Sequence, residues 1–137
     1  MKLAFAVLAD HVESADGKLF ISGTFDVFNV QQFPAMLPMA GLAVKIEATH
    51  GEAGGHTFTV GLRDEDGQLV VPQINGEFPL GEGRFVKGAP PAFQMALNLG
   101  GLQFAKAGTY EFEILVDGRH VGSVPFHVVQ IGNAPAA

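Results

Sequence analysis

Cysteine and tryptophan are absent from this chain, and tyrosine occurs once. Without cysteine there is no disulfide and no thiolate-ligated zinc or iron–sulfur cluster, so apolar burial must hold the fold, and the composition suits a reducing compartment. Charge is scarce as well. Only 16% of the 137 residues are Asp, Glu, Lys or Arg, and 14 acidic against 8 basic residues leave a net charge of −6. No cluster of Lys or Arg supplies the electrostatic footprint that phosphates require, so nucleic acid is excluded as an expected partner. Long apolar runs are missing too. Residues 3–9 form an apolar stretch that Asp10 and His11 interrupt, short of the roughly 15–30 residues of a secretory leader, and nothing approaches the ~18 of a membrane span. The expectation is a cytoplasmic protein with no membrane contact.

What the chain has in quantity is 18 Gly, 8 Pro and 12 Phe within a composition 47% hydrophobic. That much apolar content with so little charge excludes a disordered chain, and abundant turn-formers point to short strands. Apolar side chains recur at period two in one segment after another, the spacing that puts one face of a strand on a core and the other in water. Leu3, Phe5 and Val7 begin the series. Leu42, Val44 and Ile46, then Phe58, Val60 and Leu62, then Phe93, Met95 and Leu97 continue it, and Tyr110, Phe112, Ile114 and Val116 with Val124, Phe126 and Val128 close it. Three Asp-Gly pairs, at 16–17, 66–67 and 117–118, are dipeptides that tolerate the positive φ of tight hairpin turns.

Two stretches lack the period. Residues 29–41, with prolines at 34 and 38, read as a connection, and residues 76–92 read as a long irregular loop of the kind that is functional or mobile. Pro72 in "QLVVPQING" points to an edge strand, and Pro125 to a guarded edge or a bulge. Residues 1–131 are expected to form one domain and residues 132–137 a frayed tail.

"LQFAKAGTYEFEILVDG" sets Gly108 two residues before the lone Tyr110 at the start of the penultimate strand. This resembles the tyrosine corner of immunoglobulin-like sandwiches, in which the hydroxyl returns to a backbone group near the strand entry. The expected fold is all-β, a single antiparallel immunoglobulin-like β-sandwich of seven or eight strands. The segments "LADHVESADGKLFISGTFDVF", "FPAMLPMAGLAVKI", "LRDEDGQLV" and "AGTYEFEILVDGRHVGSVPFHVV", in that order, resemble a family of small bacterial proteins grouped as a domain of unknown function. The resemblance implies one intracellular β-sandwich with no assigned activity, ligand or site residues.

Chemistry has little to start from. Five histidines (His11, His50, His56, His120 and His127) invite a metal, but no Asp/Glu/His triplet has diagnostic spacing, so no metal or other cofactor is expected. "DEDG" at 64–67 echoes a calcium loop, yet the twelfth position is Asn75 rather than Glu, and an acidic turn explains it. Ser14, Ser22 and Ser123 lie in no nucleophile elbow, Asp10 and His11 point to opposite faces of a strand, and Glu111 with Glu113 reads as a solvated sheet face. A non-enzymatic protein is expected.

Apolar residues where loops are expected supply the remaining signal. Phe33, Met36, Phe78 and Phe85 are the candidate partner-binding residues, because an exposed apolar patch on a soluble domain marks a protein interface. A small, weakly charged face of Ala43, Thr57, Thr59 and Gly61 suggests packing against a second copy. The functional expectation is therefore a protein partner or self-association as a homo-oligomer. The alternative is a small-ligand or carbohydrate-binding module, which the lack of spare Trp and Tyr disfavours.

Overall fold

The computed structural model describes residues 1–81 and 88–132. Among them are nine strands: β1 (Lys2–Ala15), β2 (Lys18–Thr24), β3 (Val27–Val30), β4 (Ala35–Glu47), β5 (Gly54–Arg63), β6 (Ile74–Leu80), β7 (Ala92–Phe104), β8 (Gly108–Val116) and β9 (Arg119–Gln130). A single 3-10 turn, His50–Glu52, lies between β4 and β5. The strands form two sheets, ordered β2-β1-β4-β7 and β3-β9-β8-β5-β6. All neighbours are antiparallel except β3 and β9, which run parallel. The expected all-β, two-sheet architecture is what the structure has, with nine strands in place of seven or eight. No helix among the described residues is long and apolar enough to cross a membrane.

Period two is cleanest on β8. Tyr110, Phe112, Ile114 and Val116 are buried, while the residues between them stay partly exposed. They meet Leu42, Val44 and Ile46 of the facing sheet in one core, each fully buried side chain contributing about 1.5–3 kcal/mol. Aromatic rings fill one end of it: Phe104 meets Tyr110 edge-on at 4.9 Å, and Phe126 stacks on Tyr110 and Phe112 at 5.8 and 5.6 Å. The Tyr110 hydroxyl donates to the Lys106 carbonyl at 2.7 Å, so its polar tip is satisfied by the backbone just before β8.

Both stretches that looked irregular contain strands. On β4 the inward residues are Ala35 and Leu37, then Leu42, Val44 and Ile46; on β7 they are Met95 and Leu97, then Leu102 and Phe104. The inward set changes parity in both strands between these groups, around Pro38 and around Gly101 (φ +68), which erases the alternation a sequence reading relies on. In β6, Ile74, Gly76, Phe78 and Leu80 do alternate, but the second position is glycine. A Cβ at Gly76 would lie 2.5 Å from the Phe58 ring, so the side chain that would show the pattern is excluded by its neighbour. Pro72 is in no strand; an isolated bridge between Arg63 and Leu69 is the extent of pairing there. Asp64 organises the following turn, accepting the N–H groups of Asp66 and Gln68 at 2.9 and 3.0 Å. Pro125 sits within β9 opposite Glu111, two residues before pairing with β3 begins.

The face of Ala43 is not open. β1 pairs with β4 as far as Ala9 and then with β2, and the β1–β2 hairpin lies over the outer side of β4 and β7. Ala9, Val12 and Ala43 are buried there as a small second core with Val7, Leu19 and Ala96. Asn98 fixes the crossing: its Oδ1 accepts the Val12 N–H at 3.1 Å and its Nδ2 donates to the Val12 carbonyl at 2.7 Å. Gly41 makes room, since a Cβ would lie 2.9 Å from the Val12 nitrogen.

Candidate functional site

Of the four residues chosen from the sequence, three are described, and they differ in burial. Phe78 is 2% exposed, stacked on Phe93 at 4.4 Å in the core, because β6 is a strand and not a loop. Phe33 is half-buried against the same core. Met36, on the outward side of β4, is 54% exposed, and Phe85 lies outside the described residues.

A polar cluster missed in the sequence forms where the β8–β9 turn meets β5. Asp117 (φ 51) and Gly118 (φ 77) reverse the chain, and the Asp117 N–H donates to the Thr57 carbonyl at 2.9 Å. The Asp117 carboxylate accepts the Thr57 N–H at 3.0 Å and His56 Nδ1 at 2.5 Å. His56 Nε2 faces the Glu52 carbonyl. Both partners of the ring are acceptors, so both ring nitrogens must donate and the imidazolium is the matching form. The Asp117 hydrogen bond, then the Glu52 carbonyl, raise the His56 pKa above its ordinary value, while the Thr57 N–H and then His56 hold the Asp117 carboxyl below its own. The imidazole also stacks on Phe78 at 5.6 Å. Beside it opens a cleft of about 560 Å³ that Glu77 and Pro79 help to line.

An ionisable pair with shifted pKa values next to a cleft is where catalysis is sought. Here the geometry opposes it. With Nδ1 on a carboxylate and Nε2 on a carbonyl, His56 has no lone pair to take a proton from a substrate, and the pair works as a clamp joining the 3-10 turn, β5 and the β8–β9 turn. Glu52 belongs to the same end: its carboxylate accepts the Thr49 N–H at 2.9 Å and pairs with the Met1 ammonium at 3.0 Å, the first contact doing most to hold its pKa at about 2. Among the described residues no three His, Asp or Glu side chains converge as a metal-binding group. Sequence separation hid the clamp, since 61 residues divide His56 from Asp117.

Basic residues lie at the same end. Arg119 and His120 are exposed and line a cleft with Met1, and Lys2 follows with its side chain 77% exposed and a loose 3.8 Å contact to Glu47. Lys45 lies opposite Phe5 on one side and Gln94 on the other. With Ser14, Pro90, Pro91 and Phe93, Lys45 and Gln94 line a cleft of about 390 Å³ beneath the β1–β2 tip. Gln94 Oε1 is buried and has no hydrogen-bond partner among the described residues. Acids lie at both ends: Glu52 and Asp117 line the Arg119 cleft and Glu47 meets Lys2. Asp64, Glu65, Asp66 and Glu111 lie at the far ends of β5 and β8, where Asp66 pairs with Lys106 and Glu113 with Arg63.

The whole sandwich has a counterpart among solved structures. A Pseudomonas fluorescens alkylpurine DNA glycosylase, AlkC, bound to DNA containing an abasic site analog, matches with a TM-score of 0.53 and 14% identity over 93% of this chain. The match spans 30% of that protein's length. No curated protein matches the chain. The expectation of a protein-contacting or self-associating domain is therefore corrected, together with its small-ligand alternative and its exclusion of nucleic acid. Phe78 is core and Ala43 is covered, so the proposed contact faces do not exist as drawn, and the solved structure sharing the fold is of a DNA-bound protein. Residues 4–129 match the model of a family of unknown function, DUF6941, and the chain belongs to that family.

Proposed function

We propose that this sandwich is a non-catalytic module that contacts DNA through its phosphates, at the end where β1 begins. The observation that carries this reading is the shared fold with a protein held on DNA, over 93% of the chain. Arg119, Lys2 and Lys45 give that end its donors. Arg119 and Lys45 have no carboxylate in ion-pair range among the described residues, and the exposed Lys2–Glu47 contact is of a kind that adds about 0–1 kcal/mol and is readily exchanged for a phosphate. The acids nearest by are occupied: Asp117 by His56 and Thr57, and Glu52 by Thr49 and Met1. We read the sandwich as immunoglobulin-like on the Tyr110 hydroxyl bond, and as cytoplasmic on the lack of cysteine.

Fluorescence anisotropy with a labelled DNA duplex tests it. Binding without sequence preference is expected, with a Kd of about 10⁻⁴–10⁻⁶ M and a log–log salt slope of roughly −2 to −3, as three phosphate contacts require. Arg119→Ala should weaken binding and flatten the slope by about one. No binding at low salt up to about 10⁻⁴ M protein, or binding indifferent to salt, overturns the reading.

A further inference from the structure

Two of the cations proposed to meet phosphate, Arg119 and Lys2, are joined through one imidazole. His56 Nδ1 donates to the Asp117 carboxylate at 2.5 Å, and Nε2 faces the Glu52 carbonyl. From Asp117 the chain passes through Gly118 directly to Arg119, the first residue of β9. From Glu52 the connection runs to β1, because the Glu52 carboxylate takes the Met1 ammonium on both oxygens at 3.0 Å and Lys2 follows Met1. The ring itself rests on the buried Phe78, stacked at 5.6 Å.

With an acceptor facing each nitrogen, the ring completes both contacts only while both nitrogens carry protons. A neutral ring has one N–H. Whichever nitrogen gives up its proton turns a lone pair toward an oxygen, so either the Asp117 contact or the Glu52 contact opens. Thr57 holds Asp117 through its N–H and its carbonyl in either state, so the turn persists. What changes is the charge and the seat of the 3-10 turn. The Asp117 side chain is 46% exposed and shares a cleft with Arg119, so without the imidazolium its carboxylate competes for the guanidinium and repels an arriving phosphate. Resting on the DNA-contact reading, we propose that His56 is a positioning residue and a proton-operated latch: its imidazolium neutralises Asp117 and seats the 3-10 turn, leaving Arg119 and Lys2 to phosphate, and release of one proton weakens that contact. The clefts on either side bring up Glu77 of β6, the Met1 ammonium beside Lys2, and Arg119 and His120 of β9, while His50 shares the 3-10 turn. Glu77 favours the charged ring as Asp117 does, and the cations oppose it.

Proton–nitrogen NMR spectra of the imidazole in isotope-labelled protein should show His56 protonated on both nitrogens at about pH 6 and on one at about pH 9. Anisotropy with a labelled duplex at constant low ionic strength should show affinity falling between those pH values. The fall should be about 2- to 5-fold larger for the native chain than for His56→Gln, the worth of one charge lost several ångströms away. This comparison cancels whatever His50, His120 and the Met1 ammonium contribute, since both proteins keep them. Reciprocity supplies a test on the native chain alone: saturating duplex should raise the proton affinity of His56 by the same factor. A ring singly protonated at about pH 6, a fall in affinity as steep in His56→Gln as in the native chain, or a His56 titration that duplex leaves unmoved overturns the latch. Each of these, with duplex still bound, leaves the DNA-contact reading standing, whereas no duplex binding at either pH ends both.

Discussion

Asp16-Gly17 and Asp117-Gly118 reverse the chain with nearly the same backbone: φ is 51 at both aspartates, 71 at Gly17 and 77 at Gly118. Positive φ at both central residues is what a tight two-residue hairpin turn demands. Their surroundings differ. The Asp117 carboxylate collects the Thr57 N–H and His56, tying its turn to β5 and, through the ring, to Glu52. No hydrogen bond or ion pair is formed by the Asp16 carboxylate among the described residues; its hairpin is held four residues back along β1, by Val12 against Gly41 and Asn98. The dipeptide thus specifies reversal of the chain, and where remote strands come to lie decides what the aspartate carboxylate then meets.

The sharpest way to break the contrast is Gly41→Ala. A Cβ there meets a backbone nitrogen that cannot rotate away, so the β1–β2 arm must lift and the Asn98 pair with it. Overpacking of this kind costs about 1–3 kcal/mol, seen as a lowered urea midpoint. Hydrogen exchange should locate the loss: protection falls across residues 9–24 and persists on β8 and β9. A uniform loss over both hairpins means that the arm is not held at Gly41.

Asp117→Asn is the matching change at the anchored turn. Asparagine tolerates the positive φ and still offers an oxygen to Thr57, so the change isolates the charge that faces His56, at a cost of about 1–2 kcal/mol. The pH profile follows from the two shifts. His56 is raised above 6.5, so its contribution is complete below 6.5 and disappears as pH rises through its folded value. Asp117 is lowered below 3.8, so its contribution is complete above 3.8 and disappears as pH falls through its folded value. The clamp is strongest between about pH 3.8 and 6.5. Thermal melts of His56→Gln should lose the alkaline limb of that profile, and an unchanged limb would mean that the ring is not doubly protonated in the folded state.

The same contrast explains how far the sequence could be read. Period two exposed the core of β8, β9 and the second half of β4, and Gly108 with Tyr110 exposed the backbone-bonded hydroxyl, because these signals are local. β6 was hidden by Gly76, whose missing side chain makes space for Phe58, and the first half of β4 by the parity change near Pro38. That error turned Phe78 from a core residue into an imagined contact residue. The covering of Ala43 and the pairing of His56 with Asp117 depend on where remote strands come to lie, and no spacing in the chain encodes either.

Asp16→Asn should produce the smallest effect and make the finest distinction. With no partner to lose and a residue that accepts positive φ, stability should hold within about 0.5 kcal/mol of the unaltered protein. Ser14 and Gly17 lie on either side of this residue in the chain and line a cleft with Lys45, one of the cations proposed to meet phosphate. Removing it should strengthen oligonucleotide binding at low ionic strength, and the gain should fade as salt screens the repulsion it relieves. Anisotropy titrations of the variant at low and high salt read this directly. An affinity unchanged at low salt would mean that the tip does not overhang a bound strand.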